Sequence, residues 1–177
     1  MEAQRNGIHF LEDNEVETEY PLRAIQALNY GVVGSSAAGE FSKFTARRLM
    51  SGKPIHVIVK FSGSEDSPQE QRWSDLLVCE HLAVATIADT LQMNAPVSRI
   101  YQFAGRTFYE VDRFDRHGEF GRSGVCSWNE LNAALFGLAG SWTEGAAALL
   151  RDGHITAETA NPVSYTHLRA HETKANL

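Results

Sequence analysis

His56-Val57-Ile58-Val59-Lys60-Phe61 is a strand-forming run with a single cation set inside it, and what flanks it decides the fold. Strand alternation puts Val57 and Val59 on one face and Ile58 with Lys60 on the other. Upstream lies Phe44-Thr45-Ala46-Arg47-Arg48-Leu49-Met50, joined to it by Ser51-Gly52-Lys53-Pro54. Gly and Pro favour a tight reversal there, so the two runs form a predicted β-hairpin. Downstream, residues 62–69 are polar and read as a loop. Leu76, Leu77, Leu82, Ala83, Ile87 and Leu91 then recur at helical spacing, which predicts a long, partly buried helix over 71–92.

Further out, residues 97–103 and 107–112 flank Ala104-Gly105-Arg106 and are rich in Tyr, Phe and Val, giving a second predicted hairpin and a sheet of at least four strands. Residues 116–123 form a polar, Gly-containing connection. Ser127 followed by Glu130 has the spacing of a capping box, and a helix is predicted over 142–151, closed by Gly153. Another begins near Thr156. Toward the amino terminus, Glu12, Asp13, Glu15, Glu17 and Glu19 crowd before Pro21. They read as a solvated lead-in followed by a short helix over 22–29. Gly31-Val32-Val33-Gly34-Ser35-Ser36-Ala37-Ala38-Gly39 is a run of small residues, expected as a flexible loop.

At 177 residues, 43% hydrophobic and 21% charged, the chain has the mixture of a soluble globular protein. A net charge of −6 argues against a main role in holding nucleic acid. Cys79 and Cys126 form no C-x-x-C pair and are expected to be buried, reduced and structural. No run approaches the ~18 apolar residues of a membrane span, and Met1-Glu2 does not open a signal peptide. The cytoplasm is the expected location.

The chemistry concentrates at three places. Small side chains in residues 35–39 would let backbone N–H groups approach anionic oxygens, and Lys60 would supply a point charge to them. The plain alternative is that Lys60 snorkels from a strand, its stem packed and its head in water. The small-residue loop also lacks Walker spacing. Glu80, in Val78-Cys79-Glu80-His81-Leu82, lies mid-helix among apolar positions, where a lysine from an adjacent strand would suit it; an exposed helical glutamate is the alternative. Glu110-Val111-Asp112-Arg113-Phe114-Asp115-Arg116 ends a strand with alternating charges about one aromatic, where backbone groups could hold a base and a carboxylate a ribose. Such strand exits are also common as solvated turns.

In order, these pieces resemble the HipA family of toxin–antitoxin serine/threonine protein kinases. The resemblance rests on Gly34-Ser35-Ser36-Ala37-Ala38-Gly39-Glu40 with Lys43, Ile58-Val59-Lys60-Phe61, Cys79-Glu80-His81-Leu82-Ala83, Asn94-Ala95-Pro96 and Asp112-Arg113-Phe114-Asp115-Arg116. It implies an α+β fold: a kinase-like amino-terminal lobe with a small antiparallel sheet and one long helix, then the first helices of a second lobe. On that reading residues 1–30 are the lead-in, 31–115 the ATP-binding lobe and 116–161 the start of the helical lobe.

The resemblance also implies roles. Lys60 would contact ATP phosphates, with Glu80 as its supporting ion pair, and Ser35, Ser36, Ala37, Ala38 and Gly39 would form the mobile phosphate-side loop. Ser36 matches the serine whose autophosphorylation inactivates family members. Asp112 and Phe114 would present backbone groups to adenine, with Asp115 near the ribose or the adjoining pocket wall. ATP and Mg2+ are the implied cofactors. A protein with a Ser/Thr acceptor and a HipB-like, DNA-binding antitoxin are the implied partners, with no direct nucleic acid or membrane contact.

Two departures stand out. Phe41-Ser42 occupies the place where the family has Gln-Pro or Arg-Pro before the loop lysine. The catalytic loop and metal-binding Asp are expected beyond Ala160, where Pro162-Val163-Ser164-Tyr165-Thr166-His167-Leu168-Arg169-Ala170-His171-Glu172-Thr173 resembles a run-on peptide translated from sequencing-adapter DNA. Residues 162–177 are therefore expected to be non-native, and His167 and His171 are not expected to bind metal. The chain as a whole, without the base and the metal-binding Asp, is expected to have little or no kinase activity by itself. The alternatives are a catalytically inert, antitoxin-binding interaction module and a non-functional truncated product.

Overall fold

The computed structural model describes residues 9–30, 42–91, 94–137 and 141–160. The chain divides into two compact units, one up to Ser123 and the other from Gly124 onward.

In the first unit, β1 (Lys43–Met50), β2 (Lys53–Phe61), β3 (Ser98–Phe103) and β4 (Arg106–Asp112) form an antiparallel sheet in the order β1-β2-β4-β3. Both expected hairpins are present. Their turns are two residues long, because Met50 pairs with Lys53 and Phe103 with Arg106. Ser51, Gly52, Ala104 and Gly105 all have positive φ, the primed-turn geometry that matches the twist of the strands. Pro54, expected in the first turn, instead lies in β2 opposite Leu49.

One sheet face carries Phe44 and Ala46 of β1, Val57, Val59 and Phe61 of β2, and Phe108 of β4, all buried. Helix α1 (Val16–Tyr30) covers it with Val16, Tyr20 and Ala24. This helix begins six residues earlier than expected and carries Pro21 inside it. A proline there removes one helical hydrogen bond, at a cost of ~3 kcal/mol. Burying Val16 and Tyr20, ~1.5–3 kcal/mol for each large apolar side chain, offsets it. The acidic stretch is solvated at Glu12, Asp13 and Glu17, as expected, but it is structured: Asp13–Glu15 form a 3-10 turn and Glu19, in α1, pairs with Arg23 at 3.2 Å. Leu11 runs beside the outer edge of β1. Its N–H donates to the carbonyl of Arg47 (2.8 Å) and its carbonyl accepts from Leu49 N–H (2.9 Å).

The opposite face carries Ile58, Lys60, Thr107 and Tyr109, and α2 (Pro68–Leu91) packs on β4, β3 and β2 there. The helix starts three residues before the expected position because Pro68 suits a first helical turn and the Ser67 hydroxyl accepts from Glu70 N–H (3.2 Å). Gly63 admits the Glu70 carboxylate where a Cβ would collide with it. The expected polar connection after β4 holds a small ribbon, β5 (Arg116–His117) and β6 (Gly121–Arg122).

The second unit contains α3 (Trp128–Phe136) and α4 (Trp142–Arg151). Each opens with a capping box, Ser127 with Glu130 and Ser141 with Glu144, and Gly153 follows α4 with positive φ. No helix among the described residues is long and apolar enough to cross a membrane. Both cysteines correct the expectation: Cys79 and Cys126 are free and exposed rather than buried. Cys79 falls on the outward side of α2, where helical periodicity alternates it with the buried Leu77.

Candidate functional site

The face shared by β2, β4 and α2 assembles the polar groups. Four α2 residues at helical spacing meet the sheet: Leu77 is fully buried, Ser74 Oγ lies 2.6 Å from Thr107 Oγ1, and His81 Nδ1 lies 2.8 Å from Ser98 Oγ. Glu80 falls on the same side and meets Lys60, whose Nζ donates to Oε1 at 2.6 Å and Oε2 at 2.9 Å. The two side chains are 27% and 36% exposed, so the pair stands at a rim that solvent and a ligand can reach.

Below Lys60 sits Tyr109, its partner across the β2–β4 ladder, with the ammonium 5.6 Å from the ring centroid. Burial and the charge of Glu80 push the Tyr109 hydroxyl up to about 12, so it stays neutral and polarises no further charge into the site. On the other side Lys60 pairs across the ladder with Lys43 of β1. Lys43 is 5% exposed, and no side-chain hydrogen bond or ion pair joins its ammonium to a described residue. Lys43 and Lys60 are thus cross-strand neighbours on one sheet face, with the Glu80 carboxylate bonded to the second of them.

Ser35, Ser36, Ala37, Ala38 and Gly39 lie outside the described residues, as do His167 and His171. The structure brings Lys60 and Glu80 together. Asp112 ends β4, where its side chain accepts from Arg99 (2.8 Å). Phe114 is 77% exposed in the following turn. Asp115 is taken up locally: Arg113 donates to both carboxylate oxygens (2.9 and 2.7 Å) and Arg116 to one (2.6 Å). These guanidinium groups, the Arg113 bonds foremost, lower its carboxyl to about 2. Among the described residues no cluster of three or more His, Cys, Asp or Glu could hold a metal ion.

Sequence reasoning missed a second polar assembly on the α1 side of the sheet. Arg48 and Glu110 are both fully buried and joined at 2.6 Å. Tyr20 donates its hydroxyl to the same carboxylate, Arg99 reaches its other oxygen (2.9 Å), and Asp13 pairs with the far side of Arg48. Burial first, then the Glu110 charge, drives the Tyr20 hydroxyl well above its ordinary range. The available signal was alternation, since Phe44, Ala46 and Arg48 share a strand face.

No protein-family profile matches the chain, and no solved structure matches it. Over 140 residues the chain is 33% identical to a protein of Escherichia coli (strain K12) named Toxin YjjJ, an alignment covering 78% of this chain and 31% of that protein. The chain thus spans about a third of the length of the curated relative it matches.

Proposed function

We propose that this chain is the ATP-binding part of a HipA-like toxin kinase, whose parent transfers the γ-phosphoryl group of ATP to a Ser or Thr hydroxyl of a protein. The observation that carries the reading is the rung Lys43–Lys60 beside Glu80: two ammonium groups on one face, one buried, the other held by a helical carboxylate. A triphosphate would bring its negative charge to this face alongside that of Glu80. The toxin name of the relative supports a toxin role and, in general terms, an antitoxin partner; a HipB-like, DNA-binding antitoxin is the form we propose.

In the transfer, the acceptor hydroxyl oxygen bonds to the γ-phosphorus, the bond to the bridging oxygen breaks, and ADP leaves. The hydroxyl proton passes to a base that the parent supplies outside this stretch. Mg2+, when bound with ATP, would supply further neutralisation of the phosphate charge, and carboxylates outside the described residues would hold it. What these residues contribute is position and charge: Glu80 fixes the Lys60 ammonium, Tyr109 supports it from beneath, and Lys43 adds a second cation. Asp112 and Phe114 would border the adenine through backbone groups, with Asp115, engaged by two arginines, shaping the wall near the ribose. The loop of Ser35, Ser36, Ala37, Ala38 and Gly39 would close over the phosphates, with Ser36 its modifiable hydroxyl.

Calorimetric titration of ATP into the full chain tests this. Binding is expected for the wild type and a loss of at least tenfold for Lys60→Met and for Lys43→Met. Unchanged affinity in both variants would overturn the reading.

A further inference from the structure

Away from Lys60, beside the middle of β2, a cavity of ≈ 430 Å³ opens at the rungs that pair Ala46 with Val57 and Arg47 with His56. Its size falls in the range of small-ligand sites. Five arginines contribute to its lining: Arg23 from α1, Arg47 from β1, Arg113 after β4, Arg116 from β5 and Arg122 from β6. Glu119 is the one carboxylate among the described residues that line it.

The neighbouring acids do not balance this charge. Glu19 pairs with Arg23, and Asp115 is shared between Arg113 and Arg116. Arg47 and Arg122 make no ion pair with any described residue. Even counting Glu19, Asp115 and Glu119 together, the arginines exceed the carboxylates, in a chain whose net charge is −6. Guanidinium groups brought together this way repel one another, and a cavity between them concentrates a positive potential. Their planar forks match the oxygens of a phosphate in pairs. His56 adds a polar ring whose Nε2 lies 3.1 Å from the carbonyl of Gly118, so the β5–β6 turn is tied to the wall of the cavity.

We propose that this cavity is an anion site for a phosphoryl group, separate from the Lys43–Lys60 rung and independent of the nucleotide reading. Arg47 and Arg122 are the residues that bind, being the two not already engaged by a carboxylate. Arg113 and Arg116 form the supporting wall.

The test is titration of the full chain, at low salt, with inorganic phosphate and with O-phosphoserine, read by calorimetry. Saturable binding is expected, weakened at least tenfold in an Arg47→Gln/Arg122→Gln double variant and unchanged in Lys53→Gln, an exposed lysine outside the cavity. Lys replacements at both positions are expected to fall between, because charge is kept and the fork is lost. Should the double variant fail to fold by circular dichroism, Arg122→Gln alone serves, since Arg122 is exposed. Tighter O-phosphoserine binding identifies a phosphorylated side chain as the source, and equal binding a free anion. Absence of saturable binding, indifference to the arginine replacements, or loss in Lys53→Gln would overturn the proposal. Failure of ATP to bind at Lys60 would leave it standing.

Discussion

Three side chains carry most of the consequence. Glu80 orders Lys60 in a partly exposed pair, so its worth to stability is small, roughly 0–1 kcal/mol. Glu80→Gln is therefore expected to leave the urea midpoint nearly unchanged while weakening ATP binding. A large loss of stability would mean that the pair serves the fold rather than a ligand. Arg48 behaves oppositely. Removing one member of a buried ion pair strands the other, at about 3–5 kcal/mol. Arg48→Met should cost an amount of that order in urea melts, tempered because Arg99 still reaches Glu110. The contrast also explains what was legible. Lys60 announced itself by interrupting an apolar run. Arg48 did not, since Glu110 lies far along the chain and no local pattern names the partner of a buried guanidinium. The exposed cysteines were misread for a related reason: the residue type is usually buried, and only the packed helix shows which side faces inward.

At the scale of elements, the hairpins were the most readable parts because their turn chemistry is local. Gly52 and Gly105 mark positive φ, and the flanking alternation sets the register. Ser51 occupies a position that favours Asn, having φ of 50°. Ser51→Asn is expected to raise stability by ~0.5 kcal/mol, visible as a small upward shift in Tm; a downward shift would contradict the turn assignment. Helix α1 was the hardest to place. Pro21 argues for a boundary, and the residues that overrule it, Val16 and Tyr20, act through the sheet they cover rather than through their neighbours. Of the candidate site, the β2 and α2 contributions could be read from sequence. The lysine on β1 matters only once the ladder shows it opposite Lys60. The arginine cavity could not be read at all, because its lining comes from five separate segments.

Over the whole molecule, charge is unevenly distributed: an acidic chain gathers arginines about one cavity. Asp115 is the acid most strongly committed to that region, its carboxyl held at about 2 by Arg113 and Arg116. With its folded value below the ordinary ~3.9, the stability it contributes is complete above that pH and is lost as pH falls toward 2. Acid titration followed by circular dichroism should therefore show wild type losing stability more steeply between pH 4 and 2 than Asp115→Asn. Identical profiles would remove Asp115 from the account.

Leu11 has an effect reaching beyond a single copy. By occupying the carbonyl of Arg47 and the N–H of Leu49, it fills hydrogen-bonding positions along β1 that a foreign peptide would otherwise use to extend the sheet. Cutting the chain just after that leucine would uncover a ready template, and the shortened protein should polymerise or stain with amyloid dyes where the intact one stays dispersed.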